Sequence, residues 1–280
     1  MHFSESDAIR RRRLKSIAKQ SIQGRLWSSF GACMIPVAIN FAAGLIPADL
    51  YVLPIQGTDG WVSLSGIVIS LLVALFVLGP LSVGVAGFFL ERLKNPSHPV
   101  SMLSVCDCFG AGYWRLVLGM SISQALMIFP TIITTAAMLF GGWAFSMNAF
   151  SVSTSTSTPD VIFSLLVLGS LVLMLFLSIK LLFVPFLLID AKEMTAREAI
   201  RESFRLSRGR VVELIVLSLS FALWALLTAL PSVSSLFPFG LLGYLAAIYY
   251  YPYLNATRAA YYVEFSSIST PVPEEVAAHE

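Results

Sequence analysis

Charged and strongly polar side chains are few inside the long apolar runs of this chain, and each one there is a place to look for chemistry, because such a group is costly in hydrocarbon. Lys180 is the one formal charge inside a run, ten residues before Asp190. If the run crosses a bilayer straight, Lys180 sits near mid-membrane, in the role of a substrate counter-ion or a proton carrier. If the crossing ends near Leu181, it sits at the interface, where a flexible stem lets the ammonium snorkel to water. Gln124, with Ser121, Ser123, Thr131, Thr134 and Thr135, makes its run the most polar. Such residues ordinarily hydrogen-bond between helices; lining a pathway is their other use. His98 with Cys106 and Cys108 does not read as a metal site, because Cys-x-Cys departs from the usual zinc spacing and a fourth ligand is missing. His2 and His279 lie at the termini. There is no Gly-x-Ser-x-Gly, no His-Glu-x-x-His, no phosphate-cradling loop and no carboxylate pair inside any run. No catalytic, cofactor-binding or metal-ligating residue is assigned, and a non-enzymatic protein is expected.

The elements that would position Lys180 and Gln124 follow from composition. Of 280 residues 57% are hydrophobic and 12% charged, with a mean hydropathy of +0.81, against roughly a quarter charged in an ordinary soluble domain. Such a chain is solvated by lipid. Three cysteines cannot build a disulfide framework. Arg10–Arg13 precede an apolar run, but the uncharged stretch Leu26–Ala48 is 23 residues, longer than the roughly 7–15 of a signal-peptide core. It reads as a retained first span.

A bilayer core of ~30 Å needs about 20 apolar residues in a helix. The stretches without Lys, Arg, Asp or Glu are Leu26–Ala48, Gly60–Leu90, Leu116–Pro159, Val161–Ile189 (interrupted by Lys180) and Leu214–Thr257. The last is twice a single span and has turn residues at Pro231–Pro238, so it divides in two. The second half of Leu116–Pro159 is the Ser/Thr tract Ser151–Pro159, which has no apolar face and reads as a loop. Six spans are expected, near 26–46, 61–90, 116–142, 161–189, 212–231 and 237–256. Pro36, Pro80, Pro130 and Pro185 interrupt four of them. Of 18 Lys and Arg, all but Lys180 precede span 1, lie between spans 2 and 3 or 4 and 5, or follow span 6; segments 47–60, 143–160 and 232–236 hold none. The positive-inside rule then places both termini in the cytoplasm.

Three cytoplasmic segments have helical stripes. Segment 195–208 sets Ala196, Ala199, Ile200, Ser203, Phe204 and Ser207 on one face and Arg197, Glu198, Arg201, Glu202, Arg205 and Arg208 on the other. Thr195 and Glu198 form a capping-box pattern at its start, and Gly209 suits a left-handed C′ position at its end. Its small apolar face suits a membrane interface. Before span 3, Met102, Val105, Cys106 and Phe109 make a weaker stripe ending at Gly110. A shift of 95 positions sets Phe109 on Phe204 and Arg115 on Arg210, so spans 2–3 and 4–5 read as two copies of one unit. In the N-terminal segment, Leu14, Ala18, Ile22 and Trp27 oppose Arg10, Arg11, Arg12, Arg13, Lys15 and Lys19. These cations either attract anionic headgroups or only set topology. The expected domains are a basic amphipathic segment 1–25, a membrane domain 26–257 and a short acidic tail 258–280, disordered at its end.

Ala18-Lys19, Gly24–Trp27, Leu78–Gly84 with Phe88-Phe89, Ile189-Asp190, Arg197–Ser203 with Gly209, and Tyr251–Thr257 with Tyr261-Tyr262 together resemble the bacterial integral membrane proteins grouped as domain of unknown function 975. The similarity covers roughly 15–265; where the family has a more basic helix end after Ser203, this chain has Leu206–Gly209. The resemblance implies a bacterial plasma-membrane protein of about six spans and brings no activity. Two functions are left open. One is a non-enzymatic accessory or assembly component, with lipid and a cytoplasmic protein as partners and no nucleic acid. The other is a transporter or permease subunit whose cytoplasmic amphipathic helices couple to an ATPase. Glu198-Ala-Ile200 is similar to the Glu-Ala-Ala loop of importer permeases, but Phe204 stands where that loop has glycine.

Overall fold

A computed structural model of the chain describes residues 5–44, 52–54, 61–110, 112–149, 158–233 and 237–269. Two helices open it: α1 (Glu5–Ile22) and the uncharged α2 (Leu26–Gly44). A short antiparallel ladder follows, β1 (Val52–Pro54) on β2 (Trp61–Ser63), with Val52 opposite Ser63. The second span begins after that ladder and comes in three pieces: α3 (Leu64–Val73), a π-helical turn (Ala74–Leu78) and α4 (Gly79–Lys94). A 3-10 helix (Met102–Phe109) leads into α5 (Tyr113–Ala149). The fourth span is broken as well, into α6 (Thr158–Lys180) and α7 (Val184–Asp190). Then come α8 (Ala196–Leu206), α9 (Val211–Val233) and α10 (Phe237–Ser269).

Four stretches are long and apolar enough to cross a membrane: Val68–Lys94, Tyr113–Leu139, Ile162–Asp190 and Val211–Thr228. They match the second to fifth expected spans. At the first, α2 includes the apolar helix Leu26–Ala42, and residues 45–51 lie outside the described residues. The loop expected from 143 begins later, since α5 continues to Ala149; residues 150–157 of the Ser/Thr tract lie outside the described residues.

Packing is concentrated at one end of the bundle, the end where the basic residues gather. Leu14, Ala18 and Ile22 of α1, Leu81–Leu90 of α4, Phe183–Leu188 around α7, Leu214 and Leu217 of α9, and Tyr261, Tyr262 and Phe265 of α10 form one buried cluster. Away from that end the apolar side chains are bare: Leu71, Leu72, Phe129, Ile132, Leu165, Val172 and Leu223 are all exposed. Removing apolar area from water drives folding, so such a surface is stable only where hydrocarbon covers it.

Two expectations change here. The boundary at 257 falls inside α10, whose next turns are among the best-packed parts of the protein: Ala259, Ala260, Tyr261, Tyr262 and Phe265 are all buried. The proposed disordered end, residues 270–280, lies outside the described residues. The stripe before span 3 is not an α-helical face. In a 3-10 helix residues three apart eclipse, so Val105 and Cys108 share a buried face and Cys106 and Phe109 an exposed one; Met102, in the first turn, is exposed although it is in register with Val105.

This 3-10 helix lies directly against α4 at Gly84. A Cβ there would fall 2.1 Å from the Val105 carbonyl oxygen and 2.9 Å from its carbon. The contact is backbone, which cannot swing away as a side-chain end would. Gly84→Ala is therefore expected to destabilise the protein by about 1–3 kcal/mol, the usual cost of overpacking, measured as a lower thermal midpoint in detergent; an unchanged midpoint would show that the two elements are not in contact.

Candidate functional site

A helix that breaks inside an apolar bundle frees carbonyl groups, and each needs a donor because no water is at hand. Both breaks here are closed by side chains from elsewhere in the chain. At the π turn, the Gly79 N–H reaches the Ala74 carbonyl. The same oxygen accepts from Gln124 Nε2 at 3.4 Å, and the Phe76 carbonyl accepts from the Tyr113 hydroxyl at 2.6 Å. Both donors stand on α5. The Gln124 amide thus makes an interhelical hydrogen bond.

The second break follows Lys180, the last residue of α6, with Pro185 in the first turn of α7. Ser203 of α8, fully buried, donates its hydroxyl to the Lys180 carbonyl at 2.6 Å. At the far end of α7, Arg115 spreads its guanidinium over three carbonyls, those of Leu188, Ala191 and Met194, at 2.6, 2.9 and 2.9 Å. Asp190 closes the corner, with Lys94 Nζ at 2.5 Å and the Tyr262 hydroxyl at 3.0 Å. Tyr262 also stacks on Phe186, ring centroids 5.4 Å apart. Arg115, Tyr113 and Ser203 were not singled out for this work. Arg115 was legible as the last charge before an uncharged run and as the counterpart of Arg210, and its three partners come from residues some 75 positions away in sequence.

Lys180 therefore stands at the break, beside α8, rather than in mid-helix. Its residue is 8% exposed, and its ammonium lies 5.5 Å from the Phe176 ring centroid. It lines a cavity of about 700 Å³ together with Glu198, Arg201, Glu202, Phe204, Arg205 and Arg208. A second cavity, about 400 Å³ and almost wholly apolar, lies between α5 and the α6–α7 break and is lined by Gln124, Ser123, Met127, Thr131, Leu181 and Pro185. Of the other polar residues on α5, Ser123 and Thr131 bond to their own helix, and Thr134 reaches Ser170 of α6 at 2.8 Å.

The capping box is present: Thr195 Oγ1 accepts the Glu198 N–H at 3.4 Å, and Glu198 Oε2 accepts the Thr195 N–H at 2.8 Å. That backbone bond, followed by the Thr195 side chain, holds the Glu198 carboxyl below the usual carboxylate range. A depressed pKa means the helix start is favoured above the ordinary carboxylate value and loosens as pH falls through the folded one. Ala199, Ser203 and Leu206 are buried against the bundle, Ile200 and Phe204 are half-buried, and Arg201 and Arg205 are exposed. Gly209 takes a positive φ of 77°, two residues after the C-cap Ser207.

The basic segment of α1 is committed differently from the lipid-facing reading. Arg10 forks onto Glu213 at 3.0 and 3.3 Å, Arg13 meets Glu264 at 2.6 Å, and Lys15 donates to the Ser220 hydroxyl at 2.8 Å. Burial, then Arg11 beside it, holds the Lys15 ammonium below its ordinary pKa. Arg12 and Lys19 are exposed, Arg11 is half-buried, and Trp27, expected on the apolar face, is 72% exposed. Among the described residues no group of metal-ligating side chains gathers. Cys108, buried on the 3-10 helix, has its thiol pushed up to about 11 by burial, while Cys106 is exposed.

A predominantly helical chain with four helices of membrane-crossing length and apolarity, and with breaks sealed from within, falls in the class of integral membrane proteins. The family model described as Protein of unknown function (DUF975) matches residues 9–269, and the chain belongs to that family. No curated protein and no solved structure matches it.

The Ser203 bond gives a direct test of how the second break is held. Ser203→Ala leaves the buried Lys180 carbonyl without its donor, at a cost of about 1–3 kcal/mol, and the thermal midpoint in detergent should fall accordingly. A midpoint equal to that of the wild type would mean that α8 does not hold the break.

Proposed function

We propose that the chain is a non-enzymatic, six-span protein of the bacterial plasma membrane, with both termini in the cytoplasm and a cytoplasmic platform that serves an accessory or assembly role. The observation that carries this is the coincidence of charge and packing. Seventeen of the 18 Lys and Arg lie in the segments that meet at one end of the bundle, the eighteenth being Lys180. That same end holds the buried core. By the positive-inside rule it faces the cytoplasm, and α1, the 3-10 helix, α8 and the end of α10 together build a surface on which a partner would dock. The first and sixth spans are then α2 and the first half of α10. Spans 2 and 4 are both interrupted, and each resumes with proline in its first turn, Pro80 and Pro185, but these prolines do not coincide under the shift that defines the expected repeat.

A transporter or permease subunit is the second reading, favoured by the same pair of interrupted helices and the apolar cavity beside them. In that reading α8 is the coupling helix. Its inner face is packed on the bundle, so the arginine-bearing edge, Arg201 and Arg205, is the part left for an ATPase.

Reporter fusions test the orientation on which both readings depend. Green fluorescent protein joined after residue 269 is expected to fluoresce, and alkaline phosphatase inserted within 151–157 to be active. Active phosphatase at the C-terminal junction would overturn the topology.

A further inference from the structure

The cavity beside α8 carries a charge imbalance that its own residues leave open. Of its two carboxylates, Glu202 is held by Arg205, whose Nε and Nη2 donate to the same Oε1 at 3.0 and 2.6 Å, and Glu198 is turned back onto the helix start as its cap. Lys180, Arg201 and Arg208 line the same space, and no side-chain hydrogen bond or ion pair engages them among the described residues. Arg201 and Arg208 are exposed and can be solvated. Lys180 is different, because the residue is 8% exposed and its ammonium faces the Phe176 ring, with no hydrogen bond or ion pair to a protein group among the described residues. A buried cation is stable when an anion accompanies it.

Lys180 joins the cavity to the exposed side of α6, through its contact with the Phe176 ring, and what lies there tells what kind of anion fits. Phe176 lies one turn back along α6 from Lys180, and Val172 and Leu165 follow on the same side at helical spacing. All three are exposed, at 43%, 60% and 61%. An acidic group at Lys180 is thus joined to an uninterrupted apolar track that runs away from the basic end along a membrane-crossing helix. A cavity of about 700 Å³ has the volume of an ordinary ligand site. Water-soluble anions would use the head of this site and leave the track bare, whereas an amphiphile fills both.

We propose that this cavity binds a phosphate ester carried on an apolar tail, an anionic phospholipid whose headgroup is held by Lys180, Arg201 and Arg208 and whose acyl chain lies along Phe176 and Val172. The lipid contact expected of α1 is thereby moved to α8, since Arg10, Arg13 and Lys15 are engaged by protein groups. Basic pockets between membrane helices are a known way of capturing such headgroups. The leaflet that supplies the lipid rests on the orientation proposed above; the site itself does not, so a purified protein tests it whichever way the chain is inserted.

The full chain in a neutral detergent is titrated with dioctanoyl phosphatidylglycerol and the bound species counted by native mass spectrometry. Saturable binding is expected, weakened about tenfold or more in Lys180→Met, weakened also in Arg201→Gln, and unchanged in Arg12→Gln, which lies on α1. Arg201 is exposed, so its variant carries the test even if Lys180→Met fails to fold. Inorganic phosphate and dioctanoyl phosphatidylcholine are run in parallel and are expected to bind more weakly. Absence of saturable binding, or lipid binding that both variants leave intact, overturns the proposal. Equal affinity for inorganic phosphate overturns the lipid assignment in favour of a free anion, and equal affinity for phosphatidylcholine overturns the requirement for a net negative head.

Discussion

A backbone carbonyl freed in an apolar interior must find a donor, and this single requirement organises much of the protein. Two of the crossing helices are interrupted, one at the π turn 74–78 and one after Lys180. Gln124 and Tyr113 answer the first, Ser203 and Arg115 the second, and all four donors come from α5, its leading edge, or α8. Gln124, Tyr113, Ser203 and Arg115 are therefore placed beside the points where the crossing helices break.

The same requirement explains why packing gathers at one end. Closing the second break draws α8 against α6 and α7, and closing the far end of α7 draws in α5 through Arg115. Asp190 then ties α4 and α10 to that corner through Lys94 and Tyr262. α1 completes the arrangement from outside, with Arg10 on Glu213 in the first turn of α9, where the helix dipole already favours a carboxylate. Arg92, buried in α4, donates to Ser29 of α2 and so joins α2 to the same end. The opposite end has no comparable polar network among the described residues, and its exposed apolar side chains leave cohesion there to lipid.

Much of this was legible in the sequence. Uncharged runs located the four crossing helices to within a few residues, because the cost of charge in hydrocarbon leaves a plain trace. The capping residues Thr195 and Glu198 were readable because capping is local. What escaped was whatever depends on contacts distant in sequence. The Arg115 carbonyl cradle, the docking of Tyr261–Phe265 and the ion pairs of α1 give no local periodic signal, and the α1 cations read either as headgroup contacts or as a topology-setting flank for that reason. The 3-10 helix escaped too, since its three-residue period over eight residues is easily read as part of an α-helical stripe.

Arg115 offers the most direct test of the claim that side-chain capping of freed carbonyls holds the structure. A guanidinium presents donors in a rigid fork that reaches several carbonyls, and a lysine ammonium supplies the same charge as a single point. Thermal unfolding of Arg115→Lys in detergent, beside the wild type, separates charge from geometry. If the fork over Leu188, Ala191 and Met194 is what matters, the midpoint falls by about 5 °C or more, as two or more charge-assisted bonds are lost. A lysine variant that melts with the wild type would contradict the account.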